Sequence, residues 1–478
     1  MIQHCGRFLS IVHTVGQLFR WILFVVAYAA VSNALRASEI TLLNSDALNA
    51  SSFNTGLNWS NAQPPSASNT YKVDGAGVVL RTPAAGGNFT FAGSSLTLSG
   101  GGTLAFKGFS GNTITVNNLL LDNGYIGAFA GGGPTFTLAG NIILGPNGGG
   151  VDTGAANRGT NITAHITGNG GFAIYNGGTV YLSQTNAYSG VTTVNASVLQ
   201  LNSTYAAQNS TVLLNGDHEL AFGSGINTFY VGGLSGTGLI PLADVANHPV
   251  NIHVGGNGHD SEYQGDIAGS GGLTKEGSGT LTLSGASEYL GGTTVNGGTL
   301  AVNNSHDSAT GAGPVALSAG TILTGAGSII GAVTSTAATI APGGSSGLSV
   351  GSTTLDHLSH LAFQLGASGS AANSLLQVHG NLTLAGTLDV TELTGFGVGV
   401  YPLIRYSGSF VDQGLSIGSL FTQFPGSYID TSHPGEINLH VADVPEPTAI
   451  LLALAGAIIC YWPFRFGSHL LHLEPNPQ

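Results

Sequence analysis

The chain is short of charge, and shortest of positive charge. Asp, Glu, Lys and Arg make up 7% of its 478 residues, against about 25% in an average soluble protein. Between Ala37 and Asp443 the basic side chains are six, Lys72, Arg81, Lys107, Arg158, Lys275 and Arg405, against 21 acidic ones, a formal −15. Binding to nucleic acid needs several Lys or Arg beside phosphates, so no nucleic-acid partner is expected. Acidic polysaccharides would be repelled for the same reason. Cysteine is nearly absent: Cys5 and Cys460 sit in the two hydrophobic ends and the body has none, which excludes a disulfide-built scaffold. Also missing are a Gly-x-Ser-x-Gly nucleophile turn, a phosphate loop and a dinucleotide fingerprint in a strand–helix setting. No cofactor is expected.

What is abundant is glycine, 76 of 478 residues, more than twice its share of roughly 7% elsewhere. It separates short pieces in which apolar and small polar residues alternate. The densest example is Gly269–Asn303, GSGGLTKEGSGTLTLSGASEYLGGTTVNGGTLAVN. Gly279–Ser284, Thr293–Asn296 and Gly298–Asn303 alternate with period two, which puts every second side chain on one face of a strand. Gly, Ser and Asn end each piece and supply turn conformations.

The same text occurs 101 positions earlier, at Gly168–Asn202, without a gap. Of 35 aligned positions 15 are identical, among them Thr192-Thr193-Val194-Asn195 against Thr293-Thr294-Val295-Asn296. A repeat of short strands and glycine turns implies a solenoid. The stretch at 269–303 closely resembles the autotransporter-associated β-strand repeat of bacterial surface proteins. The stretch at 168–202 resembles it less, because Ile174, Tyr175 and Asn176 replace Lys275, Glu276 and Gly277. The resemblance implies a parallel β-helix. The expected fold is therefore all-β, a right-handed parallel β-helix (solenoid) with β caps, flanked by an N-terminal signal helix and a C-terminal transmembrane helix. A β-sandwich is the alternative, but sandwich strands do not repeat their sequence at a fixed offset.

Taken in order, residues 1–34 read as a signal peptide. Arg7 and Arg20 give a basic start, Trp21–Val31 an apolar core, and Ser32-Asn33-Ala34 small residues for cleavage. Residues 35–111 read as an N-terminal β cap and first rungs, with Phe53, Trp59 and Tyr71 as the plug that an open solenoid end requires. The β-helix body is expected at 112–352. Alternation recurs there at Thr113–Val116, Thr135–Leu138, Asn141–Leu144, Thr179–Leu182, Val198–Leu201 and onward, with rungs of about 20–25 residues. Gly233–Gly238 and Gly325–Gly331 look like two copies of a second rung type. A C-terminal β segment follows at 353–443, closed by Phe396, Phe410, Phe421 and Phe424. No translocator barrel, which needs many strands of about ten residues, is expected after it.

Residues 444–466 carry Pro445-Glu446-Pro447, the uncharged run Thr448–Phe464 and then Arg465. From Pro447 to Phe464 a helix would be about 27 Å long, close to a hydrocarbon core of roughly 30 Å. Tyr461 and Trp462 suit its interface. The arrangement Pro-Glu-Pro, apolar helix, Arg resembles the PEP-CTERM sorting signal, with Pro445, Glu446, Pro447 and Arg465 as its motif. The resemblance implies an exosortase-type sorting enzyme as partner and attachment to the membrane. Residues 467–478 form a tail.

Candidate chemistry is sparse. His248, His253, His259, Asp260, Glu262 and Asp266 are the densest polar cluster, and they read as solvated turn residues rather than metal ligands, which must converge on one ion. Asp356–His360 lacks the Glu and spacing of a His-Glu-x-x-His site. Asp217 with Glu219, or Asp260 with Glu262, are the pairs to weigh as glycosidase carboxylates. No catalytic and no metal residue is assigned. The expectation is an exported, envelope-anchored structural or adhesive solenoid that is not an enzyme, at the cell surface or extracellular. Extracellular polysaccharide is a further partner to weigh. The alternative is a carbohydrate-binding or carbohydrate-active β-helix.

Overall fold

The computed structural model describes residues 39–45, 53, 55–108, 110–128, 135–344, 347–418 and 424–442. They wind into a parallel β-solenoid of about 14 turns. Up to the C-terminal cap, strands pair in parallel with the strand one turn on, so the sheets are helical ladders rather than closed barrels. The turn is elastic in length: 25 residues at Tyr71↔Leu96, 20 at Thr192↔Val212, 18 at Val315↔Val333 and 29 at Thr353↔Leu382. The sandwich alternative is excluded by this parallel pairing of strands one turn apart.

Three walls enclose the core. On the first, Leu80, Leu104, Ile126, Val151, Ile174, Val194 and Leu214 lie directly above one another. All are buried, and their immediate neighbours along each strand face the other way. Period-two alternation thus becomes a column of stacked aliphatic side chains. Each fully buried one contributes about 1.5–3 kcal/mol of transfer free energy. The second wall runs through Thr179–Leu182, Val198–Leu201 and Leu220–Phe222. The third runs through Thr228–Val231, Asn251–Val254, Gly272–Lys275 and Thr293–Val295.

The expected strands Thr135–Leu138 and Asn141–Leu144 are one strand, Thr135–Leu144, bent around a corner between two walls. Gly140 makes the bend: its φ is +112°, and a Cβ there would lie 1.9 Å from the Val116 carbonyl oxygen. Gly386 does the same inside Leu382–Glu392, with φ +99°. The two stretches expected to be copies of a second rung type meet similar demands. Gly236 and Gly325 both have positive φ, and each would press a Cβ onto the carbonyl of the turn before, Leu214 or Val302.

Phe53, Trp59 and Tyr71 do form the N-terminal plug. All three are buried. The Trp59 and Tyr71 rings meet edge-on at 4.8 Å, and Phe91 joins them at 5.3 Å from both Tyr71 and Phe53. The parallel winding carries on past Ser352 to Phe410–Ile417. The direction then reverses: Gly399–Tyr406 and Tyr428–Asp430 both pair antiparallel with Glu436–Val441. Beside this cap Phe396 packs on Tyr401 and Phe424, at 5.2 and 5.8 Å, and Phe410 stacks on Tyr406 at 5.1 Å.

Phe421, the signal helix, the C-terminal apolar helix and the motif Pro445, Glu446, Pro447 and Arg465 lie outside the described residues. Among the described residues no helix is long and apolar enough to cross a membrane, and the helical turn Gly56–Asn58 is a 3-10 turn.

Candidate functional site: the outer wall of the coil

The two repeat copies build the same local device. Strands Phe172–Tyr175 and Gly272–Lys275 each pair with the Thr-Thr-Val strand 20 residues on. Tyr188 shares a hydrogen bond with Thr192 Oγ1 at 2.8 Å, and Tyr289 shares the corresponding bond with Thr293 Oγ1. Burial pushes the Tyr188 phenol up to about 12 and the Tyr289 phenol higher still, so both stay protonated hydrogen-bonding groups at any physiological pH. Between the strands Gly190 meets Gly170 and Gly291 meets Gly271, so closely that a Cβ on the first of each pair would lie 2.0 or 2.5 Å from backbone.

The copies do not stand on the same walls. The column Phe172, Thr192, Val212, Leu234 continues through Gly236↔Tyr263 and Tyr263↔Leu283. It therefore reaches Thr280–Leu283, the second strand of the later copy. The first strand of that copy stacks instead on Ile252 and Phe229. The later copy is turned by one wall relative to the earlier.

Where the copies differ, the later one holds Lys275. Its side chain points into the core, 1% exposed. Its Nζ donates to the carbonyls of Glu276 (2.6 Å), Gly277 (3.1 Å) and Gly297 (3.0 Å). Burial holds its pKa below the usual lysine value. The ammonium thus closes a turn from within, a role no sequence signal announced beyond the lysine's inward register.

The carboxylates weighed as catalytic groups or as metal ligands are rung-to-rung ties. Asp217 Oδ1 accepts from the Leu239 N–H at 2.9 Å, Asp260 Oδ1 from Thr280 N–H at 2.7 Å, and Asp266 Oδ1 from Ala286 N–H at 2.8 Å. Glu262 accepts from the Ser284 hydroxyl at 3.1 Å and the Gln264 amide at 3.2 Å. Glu219 is buried, and its two oxygens accept the backbone N–H groups of Ala196, Asn215 and Gly216. Its exposed neighbour Asp217 is engaged with another turn, so the two do not face one sugar bond.

The histidines are equally dispersed. His248 Nδ1 lies 3.3 Å from Asp244, a carboxyl that backbone N–H donors, His248 first, hold below the usual carboxylate range. His253 Nδ1 lies 2.7 Å from Glu276 Oε1, and its ring lies 4.3 Å from Tyr230, which in turn lies 4.9 Å from Tyr205. His259 is exposed. Asp356 accepts from the Ser359 hydroxyl at 2.7 Å and from the Ala337 and Leu358 N–H groups, and these bonds lower its pKa. His360 turns away to Asp389 at 2.7 Å. Among the described residues no three His, Cys, Asp or Glu side chains converge as a metal site.

The family model described as the passenger-associated-transport-repeat matches residues 176–201 and 273–302, the two places where this device occurs. A segment of the chain is also similar to the "Adhesin BmaC autotransporter" of Brucella suis biovar 1 (strain 1330). It is 46% identical over 105 residues, which are 22% of this chain and 3% of that protein. The repeat is thus of the autotransporter-associated kind, and the shared segment is a small fraction of the much longer adhesin.

Proposed function

We propose that this chain is an exported, adhesive surface rod held at the cell envelope, with no catalytic centre. The observation that carries the reading is the parallel solenoid in which the passenger-type repeat recurs, together with a relative named as an adhesin. The use of the weighed carboxylates as ties between turns supports the non-catalytic part. About 14 turns stacked at about 4.8 Å make a body roughly 65–70 Å long. Its work lies in that length and in its wall.

Retention rests on the C-terminal segment. In this reading Pro445, Glu446 and Pro447 are the motif read by an exosortase-type enzyme, and the apolar run before Arg465 holds the chain in the membrane at least until processing. Two measurements test it. Protease added to intact cells should remove the body. Beads coated with the full chain should adhere to matrix or polymer surfaces that uncoated beads leave. A body protected inside intact cells, or beads that adhere to nothing, overturns the reading. Alanine at Pro445 and Glu446 should leave export unchanged and alter the mass or membrane retention of the mature chain.

A further inference from the structure

On the first wall the outward column is Tyr125, Gly150, Ala173, Thr193. Two small residues follow a tyrosine, and beside them lies an open cleft of about 280 Å³. Tyr125, Asn147, Gly171, Ala173, Val191 and Thr193 line it. The volume is just under the ~300 Å³ at which pockets begin to take drug-sized ligands, so it suits one ring-sized unit.

The cleft is built rather than accidental. Gly148, with φ +67°, closes the turn at its rim, and a Cβ there would lie 2.6 Å from the Gly171 carbonyl. A Cβ on Gly150 would lie 2.2 Å from the Ala173 carbonyl, so the wall cannot fill in at that point. Tyr125 is held edge-to-face by Tyr175, centroids 5.8 Å apart at 84°. Asn147 is pinned by Asp122 Oδ1 through its backbone N–H and its side-chain amide, both at 3.0 Å. Val191 is 45% exposed beside them.

No Asp, Glu, Lys, Arg or His lines this space. Its resources are an aromatic platform, two hydroxyls, one fixed amide and an apolar rim. A tyrosine offers an apolar body and a polar tip, and recognition pairs such a surface with a few placed polar groups. The surrounding body is acidic, which disfavours anionic guests.

We propose that the cleft at Tyr125 is a binding site for one neutral sugar unit of a surface polysaccharide. The pyranose lies against Tyr125 over Ala173, with its hydroxyls met by Thr193 and Asn147. The site deepens the adhesive reading and rests on it.

The full chain is tested by saturation-transfer NMR against uncharged oligosaccharides (glucan, mannan, galactan and chitin fragments), with alginate fragments as the acidic control. Binding to an uncharged member is expected, and none to alginate. Ala173→Tyr fills the cleft from an outward strand position, and it should weaken binding at least tenfold while the circular dichroism spectrum stays unchanged. Tyr125→Ala should do the same, and Tyr205→Ala, on another wall, should not. Absence of binding to every uncharged fragment, preference for alginate, or undiminished binding by Ala173→Tyr overturns the proposal. Bead adhesion to protein-coated surfaces is followed in parallel. Wild-type beads that adhere there without binding sugar sink the cleft alone, and beads that adhere to nothing sink the adhesive reading.

Discussion

Tyr188 and Tyr289 make the same hydrogen bond, each to the threonine four residues on, from two different walls of the coil. The bonds differ in what stands behind them. Thr192 Oγ1 has a second partner in Ser210 Oγ at 2.8 Å, and Ser210 in turn reaches the Gly190 carbonyl. The equivalent place in the later copy, two residues before the Val315 that pairs with Thr293 as Val212 pairs with Thr192, is Gly313. Tyr289→Phe should therefore cost more than Tyr188→Phe. Losing one buried bond with the partner left unsatisfied costs about 1–3 kcal/mol, whereas a retained second partner leaves roughly 0.5–1.5. Urea unfolding of the two variants checks the order.

Lys275→Ile places in the later copy the residue found at the equivalent position, Ile174, in the earlier. The substitution leaves the carbonyls of Glu276, Gly277 and Gly297 without their ammonium donor. Loss of about 1–3 kcal/mol is expected, and Lys275→Arg should recover part of it. Hydrogen exchange at Gly297 and its neighbours should accelerate in the isoleucine variant and stay close to wild type in the arginine one.

Asp430 governs the antiparallel cap in acid. Hydrogen bonds from Ser432, and then His433 nearby, hold its carboxyl down at about 2. A carboxyl depressed in the folded state stabilises above its unfolded value of about 3.9, and that contribution is lost as pH falls through the folded value. Amides of Glu436–Val441 should lose protection between about pH 4 and pH 2. Asp430→Asn should remove that pH dependence, which hydrogen exchange at stepped pH will register.

Gly140→Ala should break the corner it occupies. Its φ of +112° strains any side chain, and the new Cβ would lie 1.9 Å from the Val116 carbonyl. Strain of about 1–3 kcal/mol from the dihedral alone adds to the displaced ladder between Thr113–Asp122 and Thr135–Leu144. Limited proteolysis near residues 113–144 should speed up, whereas alanine at Gly397, where nothing lies within 4 Å of a Cβ and φ is not in the left-handed region, should leave it unchanged.

Much of the coil was legible because its core pattern is local. Thr179–Leu182 and Val198–Leu201 are strands with the bounds that alternation suggests. The plug of Phe53, Trp59 and Tyr71 was legible too, since large aromatics ahead of a run of small-residue strands have one open end to fill. Phe91 joins that plug directly after the strand Phe89–Thr90, and alternation does not tell a rung from the cover of a rung. The work of the acids was not legible. Asp260 meets Thr280 and Asp217 meets Leu239 only because the coil returns after 20 or 22 residues, and that distance varies from turn to turn. The cleft at Tyr125 was hidden for a related reason: it arises from which glycine lands above which tyrosine, and register is not written in either segment alone.

The rotation between the two repeat copies bears on how such a chain lengthens. A unit that seats on two different sides of the coil need not be inserted as a complete circuit. Addition or loss of a single strand and its bend leaves every later segment with an acceptable seat, merely one side over. A lineage of these chains can therefore vary its reach in steps of one strand, and the 101-residue interval need not be any whole number of circuits.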